Sequence, residues 1–203
     1  MSETGKTLDF YFDFSSPYGY FAAMRVDELA EQAGRRAVWK PILLGVVFKE
    51  TDMPPQVDIP IKGDYCKYDW ERMGRMMDIP YKFPSRFPVA TQAAARAFYW
   101  LDDRDPDQAR LFAKAVYHAY FAEDVDISAP ATVIDIAATL HVDRDALAGA
   151  LQDPAVKERL RLETVNAIAR GVFGSPFFFV DGEPFWGSDR MWMVKRWMKG
   201  QTW

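Results

Sequence analysis

The strongest candidate for chemistry is Ser16, a hydroxyl immediately before Pro17 at the junction of two regular segments. Apolar and polar residues alternate over positions 8–14, which is typical of a β-strand. Apolar residues then recur at helical spacing over positions 22–33, and Ser16 as N-cap with Pro17 as first residue predicts the start of that helix. Such a corner presents the hydroxyl beside unpaired backbone N–H groups and favours negative charge. The alternative is a serine that only caps the helix.

Two further junctions carry polar residues at the ends of predicted elements. Ser175 and Pro176 precede an apolar strand at positions 177–180, and Ser188 and Asp189 begin the last predicted helix. Ligand sites in α/β sheets lie at such element ends. Each junction alone is unspecific.

Several other chemistries are excluded by residue type. The only histidines are His118 and His141 and the only cysteine is Cys66, so we expect no zinc cluster and no internal disulfide. We interpret both histidines as structural and Cys66 as a small packing residue. A serine–histidine triad would have to enlist one of these two histidines. The sequence contains no glycine-rich phosphate loop and no nucleophile elbow.

Composition sets the class of protein. The 203 residues are 49% hydrophobic and 15% aromatic, enough for a substantial core, and the formal net charge is −4, which gives no electrostatic case for nucleic acid. The first residues have no signal-peptide pattern, and no apolar run is long enough to span a membrane. A single cysteine fits a reducing compartment. We therefore expect a soluble, cytoplasmic protein.

Proline, glycine and capping signals predict the order of elements. Strands are expected at 8–14, 36–44, 177–180 and 183–186, the last two joined by a two-residue turn at Asp181 and Gly182. Helices are expected after Pro17, at 66–77, 90–101, 106–122, 130–140, 143–151 and 154–170, and from 188 onward. A proline-rich segment at 49–63 is expected to be irregular, and so is the loop at 81–88. This order predicts an α/β domain interrupted by helices.

Three motifs in this order resemble one family over essentially the whole chain. A strand before Ser16-Pro17-Tyr18, Ser175-Pro176 before a strand, and Gly187-Ser188-Asp189-Arg190 before the last helix are similar to 2-hydroxychromene-2-carboxylate isomerases and kappa-class glutathione transferases, in the DsbA-like thioredoxin superfamily. The resemblance implies a thioredoxin-like fold, β-α-β … β-β-α, interrupted by an all-helical insertion. It further implies a glutathione-binding domain of residues 1–62 and 155–203 and an insertion of residues 63–154.

The resemblance also implies a glutathione site around the first motif. Ser16 would contact the sulfur of glutathione, with Pro17 and Tyr18 beside it. The main chain of Ser175 would pair with the main chain of the tripeptide, next to a cis bond to Pro176. Related disulfide oxidases have two cysteines at the first corner, and this chain has Ser16 and glycine 19 there, so dithiol chemistry is excluded.

The remaining contacts implied by the resemblance involve charged ends of glutathione. Ser188 and Asp189 would hold the γ-glutamyl end, and Lys62 would hold another carboxylate. The alternative for Lys62 is a solvated loop lysine. Asp52 stands where the family often has asparagine, and because a carboxylate cannot donate as an amide does, that contact stays open.

The activity implied is a glutathione-dependent cis-trans isomerisation of 2-hydroxychromene-2-carboxylate, or a related aromatic catabolite, to trans-o-hydroxybenzylidenepyruvate. Aromatic residues near the motifs suit a flat substrate, with ordinary core packing as the alternative; these are Tyr11, Tyr18, Tyr20, Phe48 and Trp186. A kappa-type transferase or peroxidase that consumes glutathione is the second hypothesis. A non-catalytic thioredoxin-like binding module is the third. The family also implies a homodimer, which the sequence itself does not indicate.

Overall fold

Four strands form a single mixed sheet in the computed structural model, which describes residues 6–201. The strands are β1 (Thr7–Phe12), β2 (Arg36–Pro41), β3 (Phe177–Val180) and β4 (Glu183–Trp186). Their order across the sheet is β2-β1-β3-β4; β1 is parallel to β2 and antiparallel to β3, which is antiparallel to β4. The predicted β-α-β start and β-β-α finish are confirmed.

Ten α-helices accompany the sheet within the described residues. They are α1 (Pro17–Ala23), α2 (Val26–Glu31), α3 (Leu44–Thr51), α4 (Lys62–Met77), α5 (Gln92–Asp102), α6 (Pro106–Phe121), α7 (Pro130–Ala138), α8 (Arg144–Gln152), α9 (Pro154–Ala169) and α10 (Met191–Met198). Short 3-10 helices lie at Gln56–Asp58 and Ser188–Arg190. None of the helices within residues 6–201 has the length and apolar character needed to cross a bilayer.

The two central strands, β1 and β3, pack on both faces, which explains their aromatic sequence. On one face Phe10 stacks on its cross-strand partner Phe178 with ring centroids 5.5 Å apart, within the large core that the helices complete. On the other face Tyr11, Phe177 and Phe179 form a second core with residues of α3 and α9. The central strand therefore holds the corner at its end between two packed layers.

The segment at 22–33 was predicted as one helix and is two. Arg25, at φ −127°, separates α1 from α2, and its guanidinium donates to the carbonyl oxygen of Met77 at the end of α4. Ala22, Val26 and Ala30 are all fully buried across the break. The apolar spacing continues across the break, so the spacing alone could not predict that the chain changes direction there.

The prediction of an irregular segment from residue 49 was wrong at both ends. Helix α3 continues to Thr51, and α4 begins at Lys62, four residues before the predicted start. Neither helix has a local start signal, because the N-cap residues are Leu43 and Ile61, and neither side chain makes a capping hydrogen bond.

Helix α9 packs against β2 and α3 on one side and against α5 and α8 on the other. It therefore joins the sheet to the helical part of the chain. The division into a domain of residues 1–62 and 155–203 and an insertion of residues 63–154 stays a prediction.

Candidate functional site

A cavity of about 960 Å³ opens at the end of β1, bounded by the corner at Ser16, by α3 and α4, and by the 3-10 helix before α10. This volume is near the upper end of the range of about 300–1,000 Å³ for small-molecule sites. Seven of the predicted site residues line it: Ser16, Pro17, Tyr18, Lys62, Ser175, Ser188 and Asp189. The fold thus brings all three sequence motifs to one cavity.

Two predicted site residues are not among those that line the cavity. Asp52 is exposed at the C-terminal end of α3, with φ 53°, although its neighbour Met53 does line the cavity. Pro176 is buried behind Ser175, and the bond between them is cis as predicted. The carbonyl oxygen of Pro176 accepts from the backbone N–H of Gly187 at 3.0 Å, which ties the second motif to the third.

Ser16 is the N-cap of α1, as predicted, and it is only 6% exposed. Its Oγ accepts from the backbone N–H of Gly19 at 3.0 Å and donates to the carbonyl oxygen of Ser175 at 2.9 Å. The hydroxyl therefore bridges the first and second motifs at the floor of the cavity.

Gly19 occupies a position that has no room for a side chain. A Cβ there would lie 2.7 Å from the Tyr117 hydroxyl oxygen and 2.8 Å from Ser175 Oγ. Both distances are far below ordinary van der Waals contact, so only glycine fits without displacing its neighbours. A cysteine at position 19, which dithiol chemistry at this corner requires, is therefore also disfavoured sterically.

Tyr18 and Asp69 form a polar pair on the wall made by α4. The Tyr18 hydroxyl donates to Asp69 Oδ2 at 2.8 Å, and burial together with this carboxylate raises the pKa of Tyr18 well above its usual range. Cys66 on the same wall is 3% exposed; burial raises the pKa of its thiol, with nearby Lys62 acting in the opposite direction. A buried thiol of this kind is a packing residue, as expected.

The aromatic residues of the sequence divide between the cavity and the core. Tyr18, Phe48 and Trp186 line the cavity. Tyr11 is 5% exposed and Tyr20 is 1% exposed, and both belong to the packed cores, so the alternative of ordinary packing holds for them. Three further apolar residues that the sequence did not single out also line the cavity: Met73, Trp70 and Phe87.

The cavity also offers polar groups for a charged ligand, from the 3-10 helix before α10 and from the start of α4. Ser188 Oγ is buried and has no hydrogen-bond partner within the described residues, although it belongs to a residue that lines the cavity. An orphaned hydroxyl of this kind is normally satisfied by a ligand or water. Asp189 beside it pairs with Arg190, and Lys62 makes no ion pair within residues 6–201. A carboxylate, a hydroxyl and an unpaired ammonium suit the ammonium and carboxylate groups of glutathione.

No cluster suited to a metal ion lies in the part of the chain that the structure describes, since no group of three or more His, Cys, Asp or Glu side chains has the required arrangement.

Comparison with known proteins assigns this chain to a family. A family model described as a DSBA-like thioredoxin domain matches residues 7–199. The 2-hydroxychromene-2-carboxylate isomerase of Sphingobium xenophagum is 31% identical over 188 residues, which cover 92% of this chain and 94% of that protein. The chain belongs to the family of 2-hydroxychromene-2-carboxylate isomerases and kappa-class glutathione transferases, with a DsbA-like thioredoxin fold.

Further relatives and solved structures are consistent with this family assignment. Glutathione S-transferase kappa 2 of Caenorhabditis elegans is 28% identical, over 92% of this chain and 88% of that protein. The solved structure of a 2-hydroxychromene-2-carboxylate isomerase superposes with a TM-score of 0.86 at 31% identity, over 95% of this chain and 94% of that one. The cytosolic disulfide reductase DsbM of Pseudomonas aeruginosa, solved with GSH, shares the fold with a TM-score of 0.66 at 12% identity.

The cavity of this family member also contains polar residues that the sequence did not reveal. Asp13, Asp69 and Thr91 all line it. Asp13 directly follows β1 and belongs to the alternating pattern at 8–14, in which a polar residue is expected to face solvent, but it is only 3% exposed. Asp69 and Thr91 reach the cavity only through tertiary packing. The one available signal was the position of Asp13 three residues before Ser16.

Proposed function

We propose that this protein is a glutathione-dependent cis-trans isomerase that converts 2-hydroxychromene-2-carboxylate, or a related aromatic catabolite, to trans-o-hydroxybenzylidenepyruvate. The observation that carries the proposal is the meeting of Ser16, Ser188, Asp189 and Lys62 around one cavity with an apolar aromatic wall. Relatives named for this isomerase activity, at 31% identity over most of both chains, support the same conclusion.

Within this proposal Ser16 serves the sulfur of glutathione. Once the ring C–O bond of the hemiketal has opened to give a conjugated ketone, bound glutathione would supply a thiolate whose sulfur adds to the conjugated carbon, permits rotation about the former double bond and is then expelled. The Ser16 hydroxyl has one hydrogen, which it directs at the Ser175 carbonyl oxygen. Turning this hydrogen towards a sulfur anion would stabilise the thiolate, while the N–H of Gly19 continues to hold the serine oxygen.

Different residues of the cavity would take different parts of the ligands. Ser188 and Asp189 suit the amino-acid end of glutathione, and Lys62 suits a carboxylate on the other side. Tyr18 and Phe48 line the cavity on the side of α4 and α3, and they suit the flat aromatic substrate. Ser188, Asp189 and Lys62 are thereby assigned to the binding of glutathione, and Ser16 to the chemical step.

The test is the dependence of turnover on glutathione itself. Thiol-free enzyme is expected to be inactive in an absorbance assay with hydroxychromene carboxylate, and added glutathione restores activity. S-methylglutathione is the matched control, because it keeps the charged ends and blocks the sulfur; it is expected to bind and to inhibit. Turnover in thoroughly dialysed, thiol-free enzyme would contradict the mechanism.

A kappa-type transferase or peroxidase is the second candidate, supported by relatives named kappa glutathione transferases at 23–28% identity. The same Ser16 would serve both reactions. An isomerase leaves the glutathione concentration unchanged, whereas a transferase or peroxidase depletes it. Failure to bind glutathione at millimolar concentration would favour a non-catalytic binding module.

We also propose that the protein is a cytoplasmic homodimer. The one cysteine of the sequence is free and buried, which supports a reducing compartment. Exposed apolar side chains along α4 support a partner on that helix: Tyr65, Tyr68 and Met76 are 57%, 68% and 70% exposed. Sedimentation equilibrium would decide the oligomeric state.

A further inference from the structure

Asp13 is a buried carboxylate with an unusual set of partners. Its Oδ1 accepts from the backbone N–H of Ser15 at 2.7 Å and from Thr91 Oγ1 at 3.1 Å, and its Oδ2 accepts from the backbone N–H of Leu44 at 2.7 Å. The residue is 3% exposed, and no cation pairs with it within residues 6–201. A buried charge without a counter-ion is unfavourable unless its hydrogen bonds compensate.

The three donors belong to three separate walls of the cavity. Ser15 is adjacent to Ser16, Leu44 is the first residue of α3, and Thr91 is the N-cap of α5. All of them line the cavity together with Asp13. A single carboxylate thus fastens the Ser16 corner to two segments that are 31 and 78 residues away in the chain.

The three donors to this carboxylate lie at or just before the starts of three helices. Helix α3 has no side-chain cap of its own, and Asp13 accepts the N–H of its first residue, Leu44. Helix α5 begins after Thr91, whose hydroxyl is turned to Asp13 and does not cap the helix. Helix α1 begins just beyond Ser15. The partial positive charge at the N-terminus of α3 favours an anion at Asp13.

Only a carboxylate accepts from all three donors at once. Burial raises the pKa of Asp13 above its usual range, and the hydrogen bonds from Leu44, Ser15 and Thr91 act in the opposite direction. The titratable groups that face it are the hydroxyls of Tyr117 and Tyr120 on α6, whose pKa values burial raises as well. An asparagine would keep one acceptor oxygen and turn its NH₂ group against a donor.

The main chain of Asp13 reaches the other two sequence motifs. Its carbonyl oxygen accepts from the backbone N–H of Ser16 at 2.9 Å and from the Tyr117 hydroxyl at 2.9 Å. Its N–H donates to Ser175 Oγ at 3.0 Å. The groups on both sides of the Ser16–Ser175 hydrogen bond are therefore fixed by the same residue.

We propose that Asp13 is the positioning residue for Ser16, holding the serine corner, α3 and α5 in the single arrangement in which the serine hydroxyl can reach the sulfur of glutathione. The proposal rests on the proposed function for its ligand, although the positioning itself is a property of the free protein.

The test compares Asp13→Asn with the matched control Asp27→Asn. Asp27 accepts from Trp39 Nε1 at 2.8 Å and from Lys114 Nζ at 2.6 Å, and it does not line the cavity. In the free proteins, amide hydrogen exchange at residues 15–19 is expected to accelerate at least about tenfold in Asp13→Asn and to stay unchanged in Asp27→Asn.

With glutathione bound, thiolate absorbance measured against pH gives a second result. Asp13→Asn is expected to raise the thiol pKa and to lower kcat about tenfold or more, with KM for glutathione within about twofold of the wild type. If the carboxylate acted only as a nearby negative charge, its removal would instead lower the thiol pKa. That result, or unchanged exchange at residues 15–19, would overturn the proposal.

A second pair of variants, with a smaller change, keeps the proposal testable if Asp13→Asn fails to fold. Thr91→Val removes one of the three donors, and Thr91→Ser restores it, so the first is expected to show a smaller increase in exchange and the second to reverse it. If wild-type protein does not bind glutathione, the proposed function fails while the exchange measurement still decides whether Asp13 positions the corner.

Discussion

The two hydrogen bonds of Ser16 belong to different parts of the proposed activity. The serine oxygen caps α1 by accepting from Gly19, whereas the serine hydrogen is directed at Ser175 and is the group that would serve the sulfur. A substitution at this position therefore affects stability and rate by separate amounts.

Ser16→Ala is expected to lower kcat on the order of 10²-fold or more, because one donor to the developing anion is lost. The lost cap is expected to reduce the free energy of unfolding by only about 1 kcal/mol. Initial rates at saturating glutathione and urea denaturation measure the two effects. Ser15→Ala is the control, since Ser15 Oγ interacts with the N–H of Val89, at 3.3 Å, and with the Tyr120 hydroxyl, while the contacts to Gly19 and Ser175 belong to Ser16. A larger loss of activity in Ser15→Ala than in Ser16→Ala would show that Ser15, and not Ser16, carries the reactive hydroxyl.

Lys62→Met and Asp189→Asn are expected to raise the half-saturating concentration of glutathione about ten- to hundredfold and to leave the saturated rate nearly intact. Both side chains would contact parts of glutathione that do not change during the reaction. Titrating glutathione against initial rate makes the measurement. Lys67→Met on the same helix is the control, because Lys67 pairs with Asp64 and does not line the cavity. Wild-type saturation in both variants would place the tripeptide elsewhere.

At the scale of single elements, the sequence predicted best where the signal was local. Asp105 and Asp153 cap α6 and α9 from the position directly before a proline, and both starts are confirmed. Helix α3 escaped prediction because its N-terminal N–H is satisfied by Asp13, 31 residues earlier in the chain. A cap supplied from another segment leaves no pattern in the residues of the helix itself.

Helix α4 is held close to the preceding 3-10 helix by Gly63, and its packing there is expected to be intolerant of a methyl group. A Cβ at position 63 would lie 2.3 Å from the carbonyl oxygen of Val57, which is backbone and cannot move aside alone. Gly63→Ala is therefore expected to reduce the free energy of unfolding by about 1–3 kcal/mol. It is also expected to weaken glutathione binding, since Val57 and Lys62 both line the cavity.

The matched control for Gly63 is Gly149→Ala in α8. A Cβ there meets nothing within 4 Å, so this substitution is expected to stabilise the protein by roughly 0.5–1 kcal/mol through helix propensity. Thermal unfolding of the two variants beside the wild type compares the effects. Equal stabilisation by both alanines would show that the contact with Val57 does not restrain α4.

At the scale of the whole molecule, Arg35 joins the start of β2 to the turn between β3 and β4. The Arg35 side chain is 3% exposed. Its guanidinium donates to both carboxylate oxygens of Asp181, at 2.9 and 2.6 Å. It also donates to the carbonyl oxygen of Thr7 at 3.3 Å. The two outer parts of the sheet are thus tied across its central strand.

This pairing predicts how stability depends on pH. Hydrogen bonding from Arg35 lowers the pKa of Asp181, so the carboxylate contributes stability above its unfolded pKa of about 3.9 and loses it as pH falls through the lower folded value. Asp181→Asn is expected to be less stable than the wild type at pH 7, with the difference shrinking below about pH 4. Urea midpoints measured across this range, with the exposed Glu183→Gln as control, make the comparison. A constant difference at all pH values would contradict the assignment.

The α/β fold followed from the order of elements, whereas the roles of the site residues were implied by the family resemblance and stay proposals. Ser16, Ser175 and Ser188 lie at the ends of neighbouring strands, so an α/β reading of the sequence already places them together. Asp69 and Thr91 could not be predicted, because they reach the cavity from helices whose packing against the sheet is not encoded at short range. Asp52 lay in the right segment, but the left-handed end of α3 carries it out to solvent.

The tight fit around Gly19 has a consequence for how this fold changes its chemistry. A second sulfur at position 19 would have to displace the Tyr117 hydroxyl, 2.7 Å from the Cβ site, and Ser175 Oγ, 2.8 Å from it. Those same two groups hold the carbonyl and amide of Asp13. A cysteine introduced at position 19 would therefore also disturb the hydrogen bonds that hold the main chain of Asp13, so a two-cysteine corner in this chain requires compensating changes at position 117 or 175.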